Sequence, residues 1–317
     1  MAERFDDADL RAALAPYLEG AERARLSCIP TGKFNTSFFV EANGREYVLR
    51  VAPPDDAGFL FYERGMMAQE PELHALVREK TRVPVAEILA HDVTRAHLPR
   101  DFILMSRLPG EALSSAAVTR GAAARLYGEV GAALREIHSI TRGAYGYLGA
   151  HRCMKAQPDW PGAFGVMWNK LLDDIVACGG YSAEEADALR RALDANVKAF
   201  GHNPGSHLLH MDVWAQNILC DSAGRLTGIV DFDRALWGDP EIEFAVLDYC
   251  GVSTPEFWEG YGRARDRSAE AQVRGVFYYL YELQKYIVIR TLRGAGASQA
   301  EPYRREALRL AGRAFGG

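Results

Sequence analysis

The chain has 317 residues, of which 48% are hydrophobic and 25% are charged, and its formal net charge is −5. This composition excludes a disordered or fibrous protein, and a chain without excess positive charge is a poor match for nucleic acid. The five cysteines form no CxxC pair, which fits neither a disulfide framework nor a zinc module. We therefore expect reduced thiols in a cytoplasmic protein that binds no nucleic acid.

The N-terminal segment lacks the basic and apolar regions of a secretory signal and predicts an acid-capped amphipathic helix. The most apolar long stretch, residues 276–289, is interrupted by Glu282 and Lys285. It is also shorter than the roughly 20 apolar residues that a membrane span requires. We expect neither export nor a membrane partner, and this stretch predicts a buried helix.

Residues 1–107 have the pattern of a small lobe built on an antiparallel sheet. Asn43-Gly44 separates the apolar runs 38–40 and 47–51, which predicts a hairpin with a type I′ turn because both turn residues must take positive φ. One helix and two further strands are expected at residues 61–80, 86–91 and 102–106.

The remainder of the chain, residues 108–317, predicts a larger and mostly helical lobe. Helices are expected over residues 116–138, 183–200 and 269–293. One short β hairpin interrupts them, with strands at 218–220 and 226–230. The fold class that we predict is therefore α+β, with two lobes.

The residues around this hairpin suit phosphoryl transfer. His210, Asp212 and Asn217 have the spacing H-x-D-x-x-x-x-N, and Asp231 directly follows the second strand. This is the layout of a kinase catalytic loop followed by a metal-binding aspartate. Asp212 can orient an acceptor hydroxyl, while Asn217 and Asp231 offer the oxygen ligands that Mg²⁺ prefers. The alternative is that these side chains only cap loops and turns.

His207, His210 and Asp212 also raise the alternative of a transition-metal site. No further ligand follows at a zinc-like spacing, and an oxygen-rich set suits Mg²⁺ better. We place His210 beside Asp212 in the catalytic pair and expect it to brace the loop by hydrogen bonding.

With these motifs the chain resembles the aminoglycoside phosphotransferase family, which has a two-lobed protein kinase-like fold and includes choline, homoserine and fructosamine kinase relatives. The resemblance covers nearly the whole chain, and it departs from the family at Met211, where a glycine is usual. It also rests on three further motifs, IVDFD at 229–233, WGDP at 237–240 and VPV at 83–85.

The resemblance implies transfer of the γ-phosphoryl group of ATP, or GTP, to a hydroxyl group of a small molecule, with Mg²⁺ as cofactor. The small N-lobe, residues 1–107, would bind the nucleotide. The C-lobe, residues 108–317, would carry the catalytic loop and the acceptor site. The oligomeric state is not predicted.

The loop TGKFNTS between the first two strands is similar to the loop that covers the phosphates in this family. Gly32 would allow a close backbone approach, and Asn35 or Ser37 would donate to phosphate oxygens. A Walker A loop is rejected, because Ser27 stands in place of its first glycine and Phe34 in place of its metal-binding hydroxyl.

The strand at 47–51 should present a cation to the nucleotide phosphates, and Arg50 in this strand matches the position of the family's lysine. A guanidinium can still bridge phosphate oxygens, in forked geometry. Its acidic partner is expected to be Glu70, with Glu63 and Glu72 as alternatives. Another possibility is that Arg50 is an ordinary exposed strand residue, and then Lys33 is the next candidate for the cation.

Residues 102–108 resemble the last strand of the small lobe and the hinge of the family. The Ser106 carbonyl and the Leu108 amide would pair with the edge of the adenine ring.

The acceptor is less clearly indicated by the sequence. The C-lobe is close to neutral, whereas a strongly polycationic aminoglycoside would favour an acidic cleft. We expect a small hydroxylated compound, either an aminoglycoside-like or other antibiotic or a sugar or amino-alcohol metabolite. A non-catalytic nucleotide-binding regulator is a further alternative, supported by Arg50 alone. Protein kinase activity is disfavoured because no A-P-E segment follows Asp231.

Overall fold

The computed structural model describes residues 5–30, 32, 34–56, 58–294 and 296–315. Thr31 and Lys33 of the expected phosphate loop lie outside these residues, so the role considered for Lys33 stays a prediction.

The small lobe contains a five-stranded antiparallel sheet in the order β1-β2-β3-β5-β4. Its strands are β1 (Arg25–Ile29), β2 (Thr36–Ala42), β3 (Arg45–Val51), β4 (Ile88–Asp92) and β5 (Phe102–Ser106), and its helices are α1 (Asp7–Leu14) and α2 (Glu70–Lys80). Helix α1 begins after the capping residue Asp6 and buries Leu10 and Leu14 against the sheet. The predicted acid-capped N-terminal helix is confirmed.

The turn between β2 and β3 has the predicted backbone conformation. Asn43 has a φ of 49° and Gly44 a φ of 70°, so both central residues are left-handed, as a type I′ turn requires. The hairpin sets the register that places Ser37 opposite Arg50.

The helix expected over residues 61–80 is shorter than predicted. Residues 61–65 form turns, Gly65 takes a φ of 68°, and a 3₁₀ helix, Met66–Gln69, precedes α2. Pro71 lies in the first turn of α2, where its missing N–H removes no helical hydrogen bond. Apolar periodicity continued through this break, which is why the sequence suggested one longer helix.

The larger lobe is mainly helical, as predicted. Its elements in chain order are β6 (Glu111–Ala112), α3 (Arg120–His138), β7 (Thr141–Arg142), α4 (Trp160–Ala177), α5 (Ala183–Asn196), β8 (Ser206–Leu209), β9 (Ile218–Cys220), β10 (Leu226–Ile229), β11 (Leu236–Gly238), α6 (Pro240–Cys250), α7 (Pro255–Tyr261), α8 (Ala269–Arg293) and α9 (Ala297–Phe315). Helix α3 begins at Arg120, four residues later than expected and directly after the capping residue Thr119. The helix expected over 183–200 ends in a 3₁₀ turn, Val197–Phe200.

Two three-stranded sheets support the region between the lobes, in the orders β10-β9-β6 and β11-β8-β7. The predicted hairpin at 218–230 is β9 and β10. Helix α2 packs through Leu73 and Val77 into the same hydrophobic cluster as Leu126 and Val130 of α3. Because α2 is thereby packed against the C-lobe, its first turn is placed next to the hairpin.

The apolar stretch 276–289 lies within α8, where Phe277, Tyr278 and Ile287 are fully buried in the C-lobe core. No helix in the described part of the chain is long and apolar enough to cross a membrane.

Candidate active site

The predicted catalytic loop, residues 210–217, connects β8 to β9. The Val230 amide donates to the Asn217 carbonyl over 3.0 Å, so the hairpin returns the chain to the loop just before Asp231. The Asn217 side-chain nitrogen donates to Asp212 Oδ2 over 2.9 Å. Because that nitrogen is occupied by Asp212, the amide oxygen is the atom that Asn217 can offer to a metal.

Two residues of this site hold the left-handed backbone conformation that favours glycine. Met211 has a φ of 65° and Asp231 a φ of 74°. Met211 stands where the family usually has glycine, and its side chain is fully buried in the C-lobe core. Met211 therefore holds, with a buried side chain, a backbone conformation in which glycine would be unstrained.

This combination makes a measurable prediction for Met211. Met211→Ala loses the buried side chain but keeps the unfavourable φ, whereas Met211→Gly also relieves the φ, worth about 1 kcal/mol. We expect both variants to be less stable than the wild type by about 1 to 5 kcal/mol, with Gly about 1 kcal/mol more stable than Ala. Urea denaturation measures the difference in the free energy of unfolding between the variants. An Ala variant as stable as the Gly variant would contradict backbone strain at position 211.

His210 supports the loop through both ring nitrogens. Its Nε2 lies 3.0 Å from the Val230 carbonyl oxygen, which can only accept, and its Nδ1 accepts from the Asp212 amide over 3.2 Å. Burial lowers the pKa of His210, so the ring is neutral in this arrangement. We assign His210 a positioning role, in keeping with the bracing that the sequence suggested, rather than contact with the reacting groups.

A buried glutamate, which the sequence suggested only as one of several acids that could hold a cationic substrate, instead supports the catalytic loop by accepting hydrogen bonds from its backbone. Glu243 of α6 accepts from the Met211 amide over 2.6 Å and from the His210 amide over 3.1 Å. His138 Nε2 donates to the same carboxylate over 2.7 Å, and its Nδ1 lies 2.9 Å from the Tyr261 hydroxyl. Burial opposes ionisation of Glu243, but the bonds from His138 and Met211 hold its pKa below the usual value.

The carboxylate of Asp212 is oriented by a second residue that was not predicted. Arg234 Nη1 donates to Asp212 Oδ1 over 2.8 Å, and Nη2 lies 3.3 Å from Glu282 Oε2 on α8. Lys285 forms an ion pair with the same Glu282. Burial tends to raise the pKa of Asp212, but Arg234 and Lys285 outweigh it and lower that pKa. Asp212 is therefore an ionised acceptor of hydrogen bonds.

Arg50 is buried, which contradicts the alternative of an exposed strand residue. Its Nη1 lies 2.5 Å from Glu70 Oε2, and its Nη2 contacts Asp231 and lies 3.2 Å from Asp233 Oδ2. The two alternative partners are engaged elsewhere, Glu63 with Arg293 and Glu72 with Arg142. The partner of Arg50 on α2 is thus Glu70.

Asp233 lies within the quoted IVDFD motif but was not assigned a role. It is buried, and its Oδ2 lies 3.3 Å from Nδ2 of Asn35, the residue directly before β2. Burial and the neighbouring charge of Asp231 raise its pKa. Asn35, which was expected to face phosphate oxygens, therefore donates to Asp233 in this structure, and its contact with phosphate stays a prediction.

The other residues expected to bind the nucleotide lie around the same cleft. A Cβ atom on Gly32 would come within 2.6 Å of the Asn35 carbonyl oxygen, so this tight loop requires glycine. The Ser106 amide donates to the Glu87 carbonyl over 2.9 Å, while Leu108 packs next to Gly228 of β10. The contacts of Ser37, Ser106 and Leu108 with a nucleotide stay predictions.

The acids beside Arg50 fit a divalent cation. Carboxylate oxygens of Glu70, Asp231 and Asp233 lie within 4.8 Å of one another, with Arg50 as their shared cationic partner. Glu70 and Asp231 already exceed the charge of the one guanidinium, and Asp231 is the most exposed of the three acids, at 33% of its side chain. Oxygen donors and surplus negative charge are what Mg²⁺ requires.

The fold and this site define a kinase of the two-lobed, protein kinase-like class. Residues 25–278 match the family model described as the phosphotransferase enzyme family. The chain belongs to the phosphotransferase enzyme family, and its class is that of small-molecule kinases.

Two curated proteins and one solved structure illustrate the similarity. A Vibrio cholerae protein named a probable ketoamine kinase is 25% identical over 261 residues, which cover 78% of this chain and 77% of that protein. A Staphylococcus aureus protein of the same name is 29% identical over 137 residues, or 42% of this chain, and the match spans about half, 46%, of the relative.

The solved structure is a thermostable variant of the aminoglycoside phosphotransferase APH(4)-Ia, in a ternary complex with AMP-PNP and hygromycin B. It has a TM-score of 0.66 and 19% identity, over 96% of this chain and 99% of that chain. Because the two chains are only 19% identical, this similarity establishes the fold alone.

Proposed function

We propose that this protein transfers the γ-phosphoryl group of ATP to a hydroxyl group of a small polyhydroxylated acceptor. The observation that carries the proposal is the arrangement of Asp212, Asn217 and Asp231 around one hairpin, with an ionised Asp212 hydrogen-bonded to Asn217. Asn217 and Asp231 would hold Mg²⁺, which neutralises charge on the phosphates when bound.

Each protein group has a distinct task in this reaction. Asp212 accepts a hydrogen bond from the acceptor hydroxyl and so directs the hydroxyl oxygen toward the γ-phosphorus. Arg234 keeps the Asp212 carboxylate in the orientation that this requires. Arg50 offers a buried guanidinium to the phosphate oxygens. Gly32, and the polar groups of Asn35, Ser37, Ser106 and Leu108, would enclose the nucleotide. The complex of APH(4)-Ia with AMP-PNP supports ATP as the nucleotide, and GTP is the alternative.

The charges beside Asp212 bear on the acceptor. Asp212 and Glu282 are paired with Arg234 and Lys285, so two carboxylates meet two cations. A cluster in which positive and negative charges balance attracts a polycation only weakly. A sugar that bears one amine needs less negative charge in the site for its binding. We therefore propose a ketoamine, a sugar with a substituted amino group, as the first acceptor class. The names of the curated relatives support this choice.

An aminoglycoside is the second candidate acceptor, because APH(4)-Ia was solved with hygromycin B. The two candidates are separated by measuring acceptor-dependent ADP release with Mg·ATP, using a fructosamine, an uncharged polyol and hygromycin B. ³¹P NMR of the product establishes whether an oxygen has been phosphorylated. We expect the fructosamine to give the highest kcat/KM; no acceptor-dependent release with any compound would contradict the proposed function.

Removing the metal ligand Asp231 provides a separate test of Mg²⁺ binding. We expect Asp231→Ala to weaken Mg·ATP binding by about tenfold or more and to raise the Mg²⁺ concentration needed for turnover, since one of the oxygen ligands proposed for the metal is lost. Calorimetric titration with Mg·ATP measures this effect. An unchanged affinity would count against Asp231 as a ligand.

A further inference from the structure

Arg234 divides its two terminal nitrogens between two carboxylates. Its Nη1 donates to Asp212 Oδ1 over 2.8 Å, whereas its Nη2 lies 3.3 Å from Glu282 Oε2 on α8. A guanidinium next to a carboxylate frequently forms two parallel hydrogen bonds, which here would engage both oxygens of Asp212. Glu282 thus lies where it keeps the second nitrogen of Arg234 away from Asp212.

The one-nitrogen contact leaves the rest of the Asp212 carboxylate for other partners. Asp212 Oδ2 accepts from Asn217 Nδ2 over 2.9 Å, and part of the Asp212 side chain is exposed, at 26%. In a two-nitrogen contact, Arg234 would compete with Asn217 for Oδ2 and with an acceptor hydroxyl for the remaining lone pairs. The geometry of Asp212 therefore depends on what else Arg234 binds.

Glu282 is itself held in a fixed position. It is buried, and Lys285, one helical turn further along α8, forms an ion pair with its Oε1. The Lys285 ammonium lies 4.9 Å from the centre of the Tyr286 ring, and the Arg234 guanidinium lies 5.7 Å from the centre of the Tyr62 ring. A buried carboxylate held by a cation at each oxygen has little freedom to rotate.

We propose that Glu282 is a positioning residue for phosphoryl transfer, which acts on Asp212 through Arg234. Glu282 occupies Nη2, so Arg234 contacts Asp212 through Nη1 alone, and Asp212 keeps Asn217 and the acceptor hydroxyl as its other partners. Helix α8 thereby sets the orientation of a carboxylate in the catalytic loop. The effect on turnover rests on the proposed function, whereas the contact between Asp212 and Asn217 can be measured without nucleotide or acceptor.

Two double variants separate the hydrogen bond to Arg234 from the charge of the cluster. Both carry Lys285→Met, because a change at Glu282 alone would leave a buried cation without its partner. The glutamine variant adds Glu282→Gln, and the leucine variant adds Glu282→Leu. The two proteins have the same charge and similar side-chain size at position 282, and only glutamine offers an oxygen to Arg234 Nη2. Their melting temperatures establish that both are folded.

Steady-state kinetics with Mg·ATP and a fructosamine measure the effect on turnover. We expect kcat to be at least about tenfold lower in the leucine variant than in the glutamine variant, because Asp212 loses its orientation toward the acceptor. Calorimetry should give Mg·ATP affinities within about threefold of each other, since Arg50 and its three acids are unchanged. Equal kcat values in two folded proteins would overturn the proposal and leave Glu282 a structural role only.

NMR with selective ¹⁵N-asparagine labelling measures the geometry directly, in protein free of nucleotide. The side-chain amide signal of Asn217 is identified by its absence from Asn217→Ser. We expect this signal to stay near its wild-type position in the glutamine variant and to move upfield in the leucine variant, as Arg234 displaces Asn217 from Asp212 Oδ2. An unmoved signal in the leucine variant would overturn the proposal. The expected shift, together with a wild type that is inactive toward every acceptor, would contradict the proposed function alone.

Discussion

Asp212→Asn is expected to lower kcat by about 10³-fold while the affinity for Mg·ATP changes less than about threefold. The asparagine keeps the shape of the side chain and can still accept from Asn217, but it loses the negative charge that orients the acceptor hydroxyl. The loss falls on the acceptor and not on the nucleotide, because Asp212 makes no contact with Arg50 in the ion-pair network. Steady-state kinetics and calorimetric titration measure the two effects.

Asp221→Asn is the matched control for this substitution. Asp221 is a carboxylate in the turn of the same hairpin, paired with Arg225 on the protein surface. We expect this control to keep wild-type kcat. Because Asp212→Asn also leaves Arg234 with Glu282 alone, its melting temperature is measured in parallel. Turnover near the wild-type rate in a folded Asp212→Asn protein would remove Asp212 from the mechanism.

Arg50→Ala is expected to reduce kcat/KM for ATP by about 30-fold to 1,000-fold, or about 2 to 4 kcal/mol of transition-state stabilisation. The variant removes the guanidinium that Glu70, Asp231 and Asp233 share, so phosphate oxygens would meet uncompensated carboxylates. Arg45→Ala is the control, since Arg45 is an exposed arginine on the same strand. We expect the control to retain wild-type kinetics.

Arg50→Lys distinguishes charge from geometry. One ammonium can pair with Glu70 and reach a phosphate oxygen, but it cannot span Glu70 and Asp233 as the two Nη atoms do. We expect kcat/KM for ATP to be at least about tenfold higher in Arg50→Lys than in Arg50→Ala. Wild-type kcat/KM in Arg50→Ala would mean that another residue supplies the cation to the phosphates, with Lys33 of the phosphate loop as the next candidate. If lysine is as inactive as alanine, the forked geometry itself is required.

The sequence alone was sufficient for those parts of the site that short stretches of chain determine. Asn43-Gly44 predicted a hairpin because two adjacent residues with positive φ specify one turn type. In the same way, the hairpin of β9 and β10 has a length that returns Asp231 to Asn217, so the spacing of Asp212, Asn217 and Asp231 carries the geometry. The family resemblance added the two-lobed arrangement.

Only the tertiary structure decided which distant groups meet. The sequence favoured Glu70 as the partner of Arg50 but left Glu63 and Glu72 open. The break before α2, together with the packing of that helix on the C-lobe, brings Glu70 to Arg50. Arg234 and Glu243 gave no local signal, since their roles depend on partners in other elements and on burial. Electrostatic and hydrogen-bonding terms depend on distance and exposure in three dimensions, and neither quantity is encoded in the spacing of residues along the chain.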